Sequence, residues 1–359
     1  MGQKYETFDV YDYRGDKLKA KLESYLSKGN ISAIVYSNPN NPSWICLKEE
    51  ELRIIGELAT QYDVIVLEDL AYFAMDFRQD LSKPFQAPYQ PSVAHYTDYY
   101  VLLISGSKAF SYAGQRIGVS CISDKLYHRA YPGLTQRYGG GTFGTVFIHR
   151  VLYALSSGTS HSAQYALAAM LKAANESQYN FLDEVKVYGE RARRLKEIFL
   201  RHGFHLVYDN DLGDPVADGF YFTIGYPGMS SGELARELMY YGVSAISLVT
   251  TGSHQEGLRA CTSFIQDHQY DQLDERMAIF ARITPSNKKY PYINKVSLPV
   301  DAGIPPQSGT GIVIPTQCLY QSGILLGILR LQSAGKVQTA NHCLSIYAPV
   351  FTVIKAYGE

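Results

Sequence analysis

A lysine and an arginine eight residues apart, Lys108 and Arg116, stand in a run of small and hydroxyl-bearing residues that opens Ser105-Gly106-Ser107. The run follows an apolar stretch of strand character, residues 99–104. A lysine that loses its proton in a shielded pocket is a nucleophile for aldehydes. Arg116 and the hydroxyls of Ser105 and Ser107 can hold an anionic group beside such an aldehyde. Taken alone, a lysine of this kind is as readily a solvated residue in a strand-to-helix turn.

Two upstream segments carry matching chemistry. Ser37-Asn38-Pro39-Asn40-Asn41-Pro42 follows the apolar run 31–36, and Glu68-Asp69-Leu70-Ala71-Tyr72 follows the run 64–67. Three strand-like runs thus end in polar clusters. In an open α/β sheet, ligands bind outside the carboxyl ends of the strands. One pocket is therefore expected to collect Asn41, Asp69, Tyr72, Ser105, Lys108 and Arg116. A lysine for a Schiff base, an acid for a ring nitrogen and an anion seat together form the protein signature of pyridoxal phosphate (PLP).

The ordered set Asn-Pro-Asn-Asn-Pro at 38–42, Asp-x-x-Tyr at 69–72 and Ser-x-x-Lys-x7-Arg at 105–116 resembles the class I/II aminotransferases of PLP fold type I. The resemblance runs from Tyr5 to about Phe280. It implies an α/β fold whose mostly parallel sheet is flanked by helices, with a small α+β domain behind it. It implies catalytic roles for Lys108, Asp69 and Tyr72. Lys108 would form the Schiff base and carry a proton, and Asp69 would pair with the pyridine nitrogen. Asn41 and Tyr72 would hydrogen-bond the ring oxygen. Ser105, Ser107 and Arg116 would hold the phosphate, helped by a helix starting after Lys108. Arg259 would clamp the substrate carboxylate, with Asn41 beside it, because a planar guanidinium matches a carboxylate bidentately. Plainer roles stay open for several of these residues. Asp69 suits a helix N-cap, Asn-Pro suits a turn, and Arg259 suits a surface ion pair. The Gly139–Gly144 loop resembles a segment that reaches toward a neighbouring subunit, and it reads equally as a flexible loop.

The activity implied is transfer of an amino group from an amino acid to a 2-oxo acid. Two alternatives share the same motifs: a PLP-dependent C–S β-lyase, and a catalytically inert remnant of the fold. Family members are homodimers with active sites at the subunit boundary. Self-association is expected here to the extent that the N-terminal region of the family is present.

Composition sets limits on these readings. The chain has 359 residues, 33 basic against 34 acidic, so no charged field points to nucleic acid. Its five cysteines form no C-x-x-C pair, and their odd number argues against a disulfide framework. No metal site is expected. No secretory leader is recognisable at the start, and the apolar run 324–329 is too short to span a bilayer. A cytoplasmic protein is expected, with small-molecule partners and no membrane association.

Helical periodicity marks residues 48–62, where Leu52, Ile55, Leu58, Ala59 and Tyr62 share a face. Residues 144–156, 161–175 and 181–202 also read as helices, the last closed by Gly203. Short strands at 204–208, 220–224 and 243–248, with helices at 231–241 and 270–280, make an α+β module. Three regions are expected: 1–180 as the cofactor-binding domain, 181–283 as a bridging helix with a small domain, and 284–359 as an atypical tail. The family carries a longer region before its Asn-Pro-Asn-Asn-Pro segment, so the sheet is expected to be incomplete. The tail is poor in acidic residues and rich in Ser, Gly, Pro and Gln. Residues 311–314 and 324–329 are its candidate strands, and it is expected to be an extension foreign to the family.

Overall fold

The computed structural model describes residues 4–284 and the backbone of residues 350–355. The chain opens with strand β1 (Tyr5–Asp9), a 3-10 turn and the helix Asp16–Leu26. That helix buries Leu18, Leu22, Tyr25 and Leu26 at helical spacing. Strands β2 (Ile31–Ser37), β3 (Ile65–Leu70), β4 (Tyr100–Ser105) and β5 (Gly118–Ile122) complete the first half. The second half holds β6 (His205–Leu206), β7 (Asn210–Asp211), β8 (Asp214–Pro215), β9 (Tyr221–Gly225), β10 (Ile246–Ser247) and β11 (Leu258–Cys261). Strand β12 (Val350–Lys355) comes last.

The main sheet has the order β1-β12-β2-β3-β4-β5. Its centre, β2-β3-β4, is parallel, which the long connections between these strands allow: a helix lies in the first, and a loop with one 3-10 turn makes the second. The pair β4-β5 is antiparallel, and β12 lies antiparallel between β1 and β2. Between β2 and β3 runs the helix Glu49–Gln61, which buries Leu52, Ile55, Leu58 and Ala59 as its periodicity predicts. The second sheet, β10-β11-β9-β6, is antiparallel throughout. The helices Val187–Arg201, Ser231–Tyr240 and His268–Ile283 bury Leu195, Phe199, Leu234, Leu238, Met277 and Phe280.

Several expectations shift in detail. Residues 5–26, unassigned from sequence, form a strand and a helix. The helix expected over 181–202 is two, Leu182–Val185 and Val187–Arg201. The strand expected over 204–208 shrinks to β6. Beyond it, Val207 still bonds to Thr223 O, and Tyr208 N turns to the Thr223 hydroxyl. The 243–248 strand shrinks to β10. The candidate strands 311–314 and 324–329 lie outside the described residues, as does the rest of the tail apart from Thr284 and β12. No helix among the described residues is long and apolar enough to cross a membrane.

A buried ion cluster ties the halves together. Asp211 on β7 receives Arg14 at 2.7 Å and Arg78 at 2.9 Å, and Arg14 also grips Glu51 at 2.8 Å. Glu51 accepts further hydrogen bonds from the backbone of Gly15 and Lys48. It thereby closes the first turn of its own helix, where a negative charge suits the dipole.

Candidate active site

The carboxyl ends of β2, β3 and β4 lie side by side because the register aligns them. Ser37 pairs with Asp69, Asp69 with Leu103, and Leu70 with Ile104, the residue before Ser105. At this edge the chain leaves β2 through a tight loop. Asn38 N donates to Asp69 O at 3.0 Å, and Asn38 Oδ1 accepts from Leu47 N at 3.0 Å. Trp44 N donates to Asn40 O at 2.8 Å, and Asn41 N donates to Ser37 Oγ at 3.1 Å. The Asn-Pro-Asn-Asn-Pro segment is thus fixed backbone, and it is buried.

From this loop Asn41 reaches the second sheet. Its Oδ1 accepts from Arg259 Nη1 at 2.8 Å. Arg259 sits on β11, opposite Thr223 of β9, and is 2% exposed. Its guanidinium carbon lies 4.2 Å from the centre of the Tyr221 ring, a cation–π stack. The plainer role as a surface ion pair is excluded by that burial.

Tyr72 follows β3 in a turn and is buried. Its ring packs edge-on against Trp44 and Tyr221, with centroids 5.1 and 5.6 Å away, and lies 5.9 Å from Phe220. Lys108 is 7% exposed, and its Nζ lies 4.3 Å from the centre of Phe220. Two neighbouring aromatic residues, Phe220 and Tyr221, therefore carry two of the three cations on which the expected chemistry depends. Neither ring was singled out from sequence, nor was Trp44. The signal available was their position: Phe220-Tyr221 opens a strand, and the chain's single tryptophan closes the Asn-Pro loop.

Asp69 is half-buried at the end of β3. Its Oδ1 accepts from Ala71 N at 2.9 Å, a turn geometry common for aspartate. Burial pushes its carboxyl up to about 6, opposed only by that backbone N–H. No cation among the described residues pairs with it. A carboxylate partly shielded from water and lacking a counter-charge fits a protonated ring nitrogen. With a buried lysine at the same edge and an arginine tied to that edge through Asn41, the donor set fits pyridoxal phosphate.

The phosphate end differs from expectation. Lys108 lies inside one helical turn, Gly106–Ala109, rather than ahead of a helix. Ser105 Oγ caps that turn by accepting from Ser107 N at 3.1 Å. The turn cannot continue because Tyr112 N folds back to Gly106 O, and Ser111 takes a positive φ of 48°. Arg116 is exposed, and its Nη1 donates to Ala113 O at 2.9 Å. Ser107 is buried beside Lys108. The Gly139–Gly144 loop starts as the left-handed end of the helix Pro132–Tyr138.

Comparison with known proteins bears on the fold and the family. The sequence profile of the family "Aminotransferase class I and II" matches residues 4–276. A probable aspartate aminotransferase of Methanocaldococcus jannaschii is 25% identical over 123 residues, 34% of this chain and 30% of that one. A cystathionine beta-lyase of Bacillus subtilis is 26% identical over 137 residues, 38% of this chain and 34% of that one. Among solved structures, an alanine aminotransferase of Pyrococcus furiosus superposes with a TM-score of 0.56 at 17% identity, over 78% of this chain and 64% of that one. The chain thus spans about a third of these curated relatives and under two thirds of the solved one. The architecture is the α/β fold type I of PLP-dependent enzymes. The chain belongs to the class I and II aminotransferase family.

Proposed function

We propose that this chain is a PLP-dependent aminotransferase that moves an amino group from an amino acid to a 2-oxo acid through Lys108. The observation that carries the reading is a buried lysine and a half-buried carboxyl with no cation beside it at one sheet edge, with a buried arginine tied to that edge through Asn41. Pyridoxal phosphate, when bound, supplies an aldehyde for the lysine and a ring that draws electrons from the substrate's Cα. Lys108, shielded from water, holds the aldehyde and then carries the proton removed at Cα. Asp69 keeps the ring nitrogen protonated, and the attraction is strong because water is scarce there. Tyr72 and Asn41 donate toward the ring oxygen. Ser105, Ser107 and Arg116 take the phosphate, which requires Arg116 to leave Ala113. Arg259 receives the substrate carboxylate with its planar fork, while Asn41 and Tyr221 fix its plane. Residues 1–180 would then hold the cofactor, residues 181–283 would bring the carboxylate arm, and the working unit would be a cytoplasmic homodimer.

A C–S β-lyase is the second reading, favoured by the partial match to the Bacillus subtilis lyase. Product analysis separates the two. Transfer of nitrogen to an added 2-oxo acid supports the aminotransferase. Pyruvate and ammonia released from a cysteine conjugate support the lyase. Protein that loses all PLP on dialysis and yields neither product contradicts both.

A further inference from the structure

We propose that Trp44 is a positioning residue that holds Tyr72 and the Tyr221–Arg259 arm in register across the site; this rests on the PLP reading above. Three observations on one residue carry it. First, Trp44 takes a φ of 64°, in the left-handed region that bulky residues avoid. The loop imposes this, through Trp44 N to Asn40 O and Asn40 N to Ile45 O at 2.9 Å. Such conformations persist where their surroundings over-determine them, and they cluster at functional sites. Second, the indole is fully buried, and its Nε1 has no hydrogen-bond partner among the described residues. A buried unpartnered N–H is a cost, so filling space alone would favour phenylalanine. Third, the ring makes contacts to both halves of the site. It lies 5.1 Å from Tyr72 and 6.1 Å from Tyr221, the ring that carries Arg259.

The slot for this indole is built on the other side too. A Cβ on Gly219 would come within 1.9 Å of indole Cε2, and Gly219 directly precedes Phe220, the ring under Lys108. Residues 38–47 therefore hold Arg259 by two routes, Asn41 directly and Trp44 through Tyr221. Removing the indole opens space beside Tyr72 and Tyr221 that packed neighbours refill only in part. Arg259 then loses the fixed plane on which carboxylate recognition depends.

The test uses Trp44→Ala, Trp44→Phe, Gly219→Ala and the double variant Trp44→Ala/Gly219→Ala. In cofactor-free protein the rate of Arg259 modification by phenylglyoxal is followed by peptide mass mapping. It should rise about tenfold in Trp44→Ala and in Gly219→Ala, and less in Trp44→Phe. In loaded enzyme, KM for the amino acid should rise about tenfold while kcat changes little. The double variant relieves the clash of the new methyl group with the indole and should be more stable than Gly219→Ala without regaining Arg259 protection. Folded variants with unchanged Arg259 reactivity would overturn the proposal. So would a double variant that regains stability and protection together, which marks a mere space-filler. Should Trp44→Ala fail to fold, Gly219→Ala decides alone, because it displaces the indole without altering it. Absence of PLP attachment at Lys108 would sink the PLP reading separately, since the phenylglyoxal arm needs no cofactor.

Discussion

Arg259 and Asn41, 218 residues apart in sequence, meet through a 2.8 Å hydrogen bond from Nη1 to Oδ1. The bond fastens the second sheet to the loop that ends β2, and it leaves the guanidinium stacked on Tyr221. Hydrogen bonds to charged groups contribute about 1.5–3 kcal/mol, so Asn41→Ala should raise KM for the amino acid roughly 10- to 100-fold. Arg259→Lys should do at least as much, because an ammonium cannot replace the fork. Steady-state kinetics checks both. Unchanged KM in both variants would contradict the carboxylate role.

Asp69 should trade stability for function. Its folded-state value, about 6, lies above the ordinary 3.8 because burial penalises the ionised form. The stability this gives is complete below about 3.8 and is lost as pH rises through 6. At pH 8 the ionised carboxylate therefore costs the cofactor-free protein on the order of 2–3 kcal/mol. Asp69→Asn should be the more stable protein in urea at pH 8, lose that advantage near pH 4, and retain PLP poorly. Coincident urea curves across this range would contradict the account.

Glu68, the residue before Asp69 on β3, is fully buried and accepts from Tyr36 Oη, Ser92 Oγ and Val93 N. Desolvation still dominates and pushes it up to about 7. The sign is the same: stability is complete below about 4.5 and is lost as pH rises through 7. Glu68→Gln should therefore gain up to about 3 kcal/mol above pH 7 relative to the parent, and nothing in acid. Thermal melts from pH 5 to 8.5 measure the difference.

Asp211 is fully buried between two arginines. Asp211→Asn removes one carboxylate from a cluster in which Glu51 still faces Arg14 and Asp76 still faces Arg78, and should destabilise the fold by about 1.5–3 kcal/mol. Denaturant unfolding reads this directly. A loss below 1 kcal/mol would mean that water or another carboxylate takes over.

Much of this was legible in the sequence because the signals were local. Glu49–Gln61 and His161–Asn175 announce themselves by periodicity, and the three polar clusters follow apolar runs whose parallel pairing brings their ends together. Lys108, Asp69, Asn41 and Tyr72 could be named for that reason. What stayed hidden depends on contacts remote in sequence. Phe220 and Tyr221 look like ordinary strand residues until folding brings Lys108 over one ring and Arg259 over the other. Trp44 looks like core until its backbone angle and its slot on Gly219 are known. The helix expected after Lys108 fails because Tyr112 N returns to Gly106 O, a closure no propensity reveals. Strands β6 and β10 are shorter than their apolar runs because Tyr208 N turns to a side chain, Val243 N is tied back to Leu238 O of the preceding helix, and the chain beyond Ser247 winds into a 3-10 turn.

The central claim concerns one amine. The protein is mixed with PLP, reduced with borohydride, digested and mapped by mass spectrometry. The account predicts a stable pyridoxyl label on Lys108 and a visible absorption band, before reduction, that Lys108→Ala abolishes. A label spread over exposed lysines, or a band that survives Lys108→Ala, would contradict it.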